Sequence, residues 1–232
     1  MARILRDQRT DVDPVAAAAQ LLATTGVALM PSSDVTRSLG VGREAWTRFA
    51  RHWRRLAPDP DAAEPGVRRS GRYGQYLVLD GVAYRLPPGD REVEPLTDAF
   101  VDDPLLHNVI ELLAQMAASL DDVAEWNVKV HQFRLRSSVD DERRPTPEGP
   151  HRDGVTLVSS LLIRRRNATG GESSVCDLTG RRLLTTSLAE PGTLLLGDDR
   201  RTLHAVSPIR PTNGSRPAQR DVLEITFAST WP

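Results

Sequence analysis

The sequence predicts an α+β chain that is mainly β, with helices gathered in its first part and a sandwich- or barrel-like core behind them. Two observations predict it. Apolar residues recur at helical spacing over 14–23, 45–56 and 104–120. From Asn127 onward, short β-rich runs follow one another, separated by Gly, Pro, Asn and Asp turns. No internal repeat or low-complexity linker divides the 232 residues. They read as one domain, 1–232, helical over about 1–126 and barrel-like over about 127–230.

Each element has a local reason. Asp13-Pro14 opens the first helix, with Asp as N-cap and Pro at the first helical position. Gly26 to Met30 is a short apolar run that Pro31 ends, hence a strand. Ser33 or Asp34 can cap the next segment. Trp46, Phe49 and Trp53 lie at helical spacing within 45–56, which places them in the core. Residues 57–66, rich in Pro, Asp and Ala, form a loop. Residues 68–84 read as strands, alternating at Tyr76-Leu77-Val78-Leu79. Asp103 or Pro104 starts a helix to about Leu120, with His107 as a surface or packing residue. The β runs then cover 127–135, 155–163, 183–188, 192–196, 204–209 and 221–227. Gly170-Gly171 marks a turn that needs positive φ. Gly40-Val41-Gly42 imitates a nucleotide-binding loop, but no apolar strand precedes it.

Composition excludes several classes. The 30 Lys and Arg nearly balance the 31 Asp and Glu, so there is no electrostatic footprint for nucleic acid. With 39% apolar and 26% charged residues, the chain is neither a disordered tail nor a fibre. Cys176 is the lone cysteine, so no internal disulfide forms and a reducing compartment is expected. Residues 15–30 are too short to span a bilayer and lack a signal-peptide cleavage pattern. A soluble cytoplasmic protein with no membrane partner is therefore expected. The oligomeric state is not legible.

The chemistry concentrates in the second half. Of the five histidines, His151 stands two residues before Asp153, and on a strand such a pair shares a face. His204 lies in a later β-rich run. Two His and one carboxylate, with three positions left open, form the ligand set of non-haem Fe(II) oxygenases. The spacing is common by chance, so a fourth element matters. Arg220 begins the last β run. An oxygenase that uses 2-oxoglutarate needs a cation for the distal carboxylate, and the planar guanidinium suits it. Arg216, in the loop 213–217, is the competing candidate. Alternation puts Arg220, Val222, Glu224 and Thr226 on one face, with Glu224 where an apolar residue is expected. Either the strand twists enough to expose Glu224, or it is an internal charge. His131 either lines the cavity or is a hydrogen-bonded core histidine, and it is not counted as a ligand.

At these residues the chain resembles a known family. The run Thr146-Pro147-Glu148-Gly149-Pro150-His151-Arg152-Asp153-Gly154 is similar to the metal-binding segment of the bacterial Fe(II)/2-oxoglutarate dioxygenases that include L-isoleucine 4-hydroxylase and related free amino-acid hydroxylases. His131-Gln132-Phe133-Arg134, Arg166 to Ser173, Glu190-Pro191-Gly192-Thr193, Gly197-Asp198-Asp199-Arg200 and Gln219-Arg220-Asp221-Val222-Leu223 follow in the same order. The likeness covers roughly 68–230. It implies a double-stranded β-helix, a jelly-roll or cupin-like barrel supported by the N-terminal helices. It implies Fe(II) held by His151, Asp153 and His204 as the catalytic metal centre, 2-oxoglutarate anchored by Arg220, and O2 as oxidant. The implied reaction is hydroxylation of an unactivated C–H of a small molecule, a free amino acid or close derivative, with succinate and CO2 as coproducts. Related halogenases carry a small residue in place of the carboxylate, so Asp153 favours hydroxylation. Arg72, Tyr73, Arg134 and Glu148 are candidates for binding the substrate's carboxylate and ammonium, with surface solvation or loop structure as the alternative for each. Two other readings stay open. One keeps the cofactors but uses a carrier-tethered substrate, or ends in desaturation or cyclisation. The other is a non-catalytic barrel-fold binding module. Arg164-Arg165-Arg166 and Arg200-Arg201 would offer a carrier a basic surface, or simply solvate a face.

Overall fold

The computed structural model describes residues 13–56, 68–88, 93–138 and 149–229. The loop expected over 57–66 lies outside them. Helix α1, Pro14–Thr25, starts where the Asp13 carboxylate accepts from the Val15 N–H at 3.0 Å. It ends on Gly26, whose φ of +80° caps it in the left-handed region. Strand β1, Val27–Met30, follows. Helix α2, Ser32–Ser38, has Pro31 at its N-cap, not Ser33 or Asp34 as expected. Helix α3, Arg43–Phe49, passes into a 3-10 segment, Ala50–Arg55, so the single helix expected over 45–56 tightens at Ala50. Its aromatics are nonetheless core: Phe49 and Trp53 are fully buried, and the Trp53 indole donates to the Phe133 carbonyl at 2.9 Å.

Strands β2, Arg68–Leu79, and β3, Val82–Arg85, form a hairpin. A short helix α4, Asp98–Val101, precedes α5, Pro104–Ala118. Asp103 caps α5 by accepting from Leu105, and Leu105, Leu106, Val109, Leu112, Leu113 and Met116 are buried along it. His107 is exposed on the helix surface. The remaining strands are β4 (Glu125–Ser137), β5 (Leu157–Arg166), β6 (Ala168–Gly170), β7 (Glu172–Asp177), β8 (Arg182–Ser187), β9 (Leu194–Asp198), β10 (Thr202–Val206), β11 (Ile209–Pro211) and β12 (Ala218–Ala228). The run expected over 204–209 is thus split between β10 and β11.

Seven antiparallel strands pair in the order β1-β9-β5-β12-β4-β2-β3, facing a three-stranded sheet β10-β7-β8, with β11 pairing β6. This is the jelly-roll barrel of a double-stranded β-helix. Side-chain alternation divides the large sheet. Ala28, Leu161, Leu196, Leu223 and Ile225 face outward and pack in one cluster with α1, α5 and the aromatics. Val27, Leu29, Leu162 and Leu195 face inward and meet Val175, Leu183, Leu184 and Leu188 of the smaller sheet. Among the described residues, no helix is long and apolar enough to cross a membrane.

One irregularity decides what the interior holds. On β12, Asp221 pairs with Arg164 and Val222 with Leu162, so Ile163 is an extra residue on β5. Without this bulge, alternation from the inward Leu162 would turn Arg164 inward and Arg165 outward. The extra residue reverses this and brings Arg165 opposite Arg220.

The outer face carries the stability. Leu113→Ala is expected to lower the unfolding free energy by about 2–5 kcal/mol, read by denaturant titration. The same change at Leu21, 50% exposed, stays within about 0.5 kcal/mol. Equal losses would contradict this assignment of the core.

Candidate metal centre

The large sheet and the smaller one meet at the candidate ligands. His151 forms an isolated antiparallel bridge with His204 of β10: the His151 N–H donates to the His204 carbonyl at 3.0 Å, and the reverse bond is 2.9 Å. The backbone then leaves extended geometry, and Gly154 takes φ +75°. His151 and Asp153 therefore do not share a face by strand alternation, as the sequence suggested. A turn brings them together.

Asp199 holds that turn. This residue, 1% exposed, accepts from the N–H groups of Asp153 at 3.2 Å, Gly154 at 2.8 Å and Val155 at 3.1 Å. Its Oδ1 also lies 3.6 Å from His204 Nδ1. Burial works against charge on Asp199, but His204 and the backbone donors outweigh it and keep the carboxyl below its ordinary range. His204 answers in kind. Burial lowers its pKa, Asp199 and then Asp153 raise it, and the net shift is upward.

These contacts orient both rings. The Gly149 carbonyl, 3.0 Å from His151 Nδ1, can only accept, so that nitrogen carries the proton and Nε2 is the one available to a metal. Asp199 Oδ1, 3.6 Å from His204 Nδ1, favours the same orientation by its charge. Both Nε2 atoms then point at Asp153: His151 Nε2 is 3.9 Å from Oδ1 and His204 Nε2 is 3.9 Å from Oδ2. One ligand atom from each residue lies within 4.8 Å of the others. Two imidazoles, each with its Nδ1 beside an acceptor, and a carboxylate suit a divalent iron once both Nε2 atoms are deprotonated, and leave its other positions open.

Deeper in the barrel lies a second feature. Arg220 is 2% exposed, and among the described residues its Nε has no hydrogen-bond partner. Arg165 sits opposite on β5, with Nη1 also without a partner and Nη2 donating to the Gly170 carbonyl. Burial and then the neighbouring Arg165 push the Arg220 pKa down to about 10. Gly171, at φ +62°, leaves space beside them: a Cβ there would stand 3.1 Å from Arg165 Nη1 and 2.7 Å from Ile209 Cγ2. A buried guanidinium and a half-buried one beside it, each with an unused N–H, fit a carboxylate. Arg216 is exposed, and its carbonyl accepts from Asn167, so Arg220 is the better placed of the two candidates.

The candidates for substrate contact divide. Tyr73 pairs with His131 across β2 and β4 on the inner face, with ring centroids 6.4 Å apart. Arg72 and Arg134 belong to the opposite face. Arg72 pairs with Glu94 at 2.6 Å and donates to the Pro95 carbonyl. Arg134 is buried in a bidentate pair with Asp221, at 2.6 and 2.8 Å. Neither joins Tyr73 and His131 on the inner face. Glu148 lies outside the described residues. His131 lines the cavity and accepts from Arg69 Nη2 at 2.9 Å through Nδ1, while the Arg69 guanidinium lies 4.5 Å from the Phe133 ring centre. Glu224 is the internal charge that the sequence left open. Burial pushes its carboxyl above the usual range, against the pull of Arg69. Sequence reasoning missed Asp199 and Arg165. An Asp-Asp pair beside a ligand strand was the signal for the first; only the bulge reveals the second.

A jelly-roll barrel with a two-histidine, one-carboxylate cluster at its mouth and buried arginines within defines a class of oxygenase, and comparison with known proteins agrees. The family model for 2OG-Fe dioxygenase matches residues 50–226. The chain belongs to that family, and its cofactors are Fe(II) and 2-oxoglutarate, with O2. It is 29% identical over 138 residues to 3(1)-hydroxy-L-isoleucine 4-dioxygenase of Pantoea ananatis (strain AJ13355). The match covers 58% of this chain and 54% of that protein, so the chain spans about half the length of the curated relative. Among solved structures, a bsmA homolog from Methylobium petroleophilum PM1 superposes with TM-score 0.82 at 27% identity, covering 92% of each chain. IDO from Bacillus thuringiensis gives 0.78 at 19% identity, covering 94% of this chain and all of that one, a likeness of fold.

Asp199→Asn is expected to weaken Mn(II) or Fe(II) binding by about 10–100-fold, measured by anaerobic calorimetric titration. Asp198→Asn, whose carboxylate pairs with Arg200 at 3.1 Å, should leave the metal affinity essentially unchanged. Equal effects would mean that Asp199 does not orient the ligands.

Proposed function

We propose that the protein is an Fe(II)/2-oxoglutarate-dependent hydroxylase that acts on an unactivated C–H of a free amino acid or close derivative. One observation carries the reading: the cluster of His151, Asp153 and His204 opens onto the same barrel interior that holds Arg220. The metal and the dicarboxylate can therefore be held in one cavity, and residues 1–232 work as one catalytic domain. The bound iron, with 2-oxoglutarate and O2, supplies the oxidant, one oxygen atom passing to succinate as CO2 leaves and the other to the product.

The chain's own residues do the positioning. His151, Asp153 and His204 would hold the metal: the Gly149 carbonyl orients His151, and Asp199 holds the Asp153 backbone and stands beside the His204 ring. Arg220 takes the distal carboxylate of 2-oxoglutarate, with Arg165 beside it. The inward Val27, Leu29, Leu162 and Leu195 keep water from that end of the barrel. Asp153 occupies the position where a halogenase would need room for chloride, which supports hydroxylation. The amino-acid substrate is supported by the relative from Pantoea ananatis, named for a hydroxylated isoleucine.

The test is succinate formation by anaerobically iron-loaded protein given 2-oxoglutarate and O2, run against the twenty amino acids plus pipecolate, ornithine and citrulline. The expected result is substrate-stimulated succinate and a product one oxygen heavier by mass spectrometry. A product two hydrogens lighter would move the reading to desaturation or cyclisation. No stimulation by any free amino acid would count against it and for a tethered substrate. Asp153→Ala is expected to abolish turnover. Arg220→Ala should raise the 2-oxoglutarate concentration required by about tenfold or more, while Arg216→Ala should not change it.

A further inference from the structure

Glu224 is a carboxylate on the inner face of the barrel that neither the metal centre nor the 2-oxoglutarate anchor uses. It lies on the inner face of β12, opposite His131 of β4 and Ser160 of β5. Four residues separate it from Arg220, roughly 13 Å along an extended strand. The charges that reach it are those of Arg69 from β2, Asp153 and His204 at the metal centre, and Arg220 on its own strand. Arg69 is turned toward His131 and the Phe133 ring. Among the described residues, no side chain donates a hydrogen bond to the Glu224 carboxylate.

A half-buried carboxylate on the inner face of the barrel, with no side-chain donor, is only partly solvated, and a cationic ligand group would complete it. We propose that Glu224 receives the ammonium group of the substrate, and so selects primary amines over their neutral or acidic analogues. The proposal rests on the amino-acid reading of the same cavity and names the residue that reads the amine. The geometry separates the two ligands. Arg220 and Arg165 hold the dicarboxylate at one end of β12, and Glu224 holds the amine at the other. Glu224 is near enough to Asp153 and His204 for their charges to act on it, so the amine is held on the metal's side of the barrel interior. The step is binding alone; no proton or electron needs to leave the complex.

The test uses protein loaded with Mn(II) and 2-oxoglutarate, which binds without turning over, and calorimetric titration. The probes are the twenty L-amino acids, their N-acetyl derivatives and n-butylammonium chloride. The expected result is binding of one or more free amino acids, no binding of their N-acetyl forms, and competition by n-butylammonium. Glu224→Gln should weaken binding by about tenfold or more, and Glu224→Asp, which keeps the charge, should retain a measurable part of it. N-acetyl forms that bind as well as the free amino acids would overturn the proposal and leave the amino-acid reading standing. So would unchanged binding in Glu224→Gln. Binding of n-butylammonium alone, lost in Glu224→Gln, would uphold the ammonium site and overturn the amino-acid reading. No binding of either class would overturn both.

Discussion

Three backbone N–H groups and one imidazole converge on the carboxylate of Asp199, and the position of each candidate ligand follows from that convergence. The 151–155 segment cannot be fixed by ladder pairing alone, because it leaves the sheet after a single bridge to His204. Hydrogen bonds to a charged acceptor contribute about 1.5–3 kcal/mol each, enough to hold an irregular turn with a positive-φ glycine in one conformation. The same carboxylate stands 3.6 Å from His204 Nδ1 and favours a proton there. One buried acid thus sets both the backbone path to Asp153 and the ring that faces it.

The interior behind this centre is divided along β12. Near Arg220 it is cationic, and a single extra residue at Ile163 makes it so by turning Arg165 inward. Two guanidiniums side by side repel each other, and burial disfavours both; the pair is stable only with an anion between or beside them. Near Glu224 the sign is reversed. Cationic side chains at one end of β12 and a carboxylate further along its inner face offer places for two ligands of different charge. The relatives share this barrel at identities below 30%, so the fold alone does not choose the second ligand.

Much of the scaffold was legible because it rests on local chemistry. Asp13-Pro14 and Asp103-Pro104 start their helices where capping rules place them. Alternation located the long strands; the His-x-Asp spacing, a later histidine and a cation on the last β run marked His151, Asp153, His204 and Arg220 as candidates. What was illegible depends on pairing between distant segments. Strand β7 is rich in Ser and Glu and gives no apolar signal, yet it is held by β8 and β10. The tightening at Ala50 leaves Phe49 and Trp53 in the core and changes nothing in the apolar pattern. In Asp198-Asp199 the residues are chemically alike; only the structure shows that the first pairs with Arg200 and the second supports the ligands. Arg164-Arg165-Arg166 looked like a solvated charge run, and the bulge that turns its middle member inward has no sequence signature. Glu224, by contrast, stood out through its violation of the apolar expectation.

The central claim is that His151, Asp153, His204 and Arg220 form one site for iron and 2-oxoglutarate together. Its most direct measurement is an anaerobic titration of the metal-free protein with Fe(II), with and without 2-oxoglutarate, followed by visible absorption. The account predicts a charge-transfer band that saturates at one iron per chain, appears only when 2-oxoglutarate is present, and is lost in Asp153→Ala. Iron binding that persists in Asp153→Ala, or that gives no band with saturating 2-oxoglutarate, would contradict it.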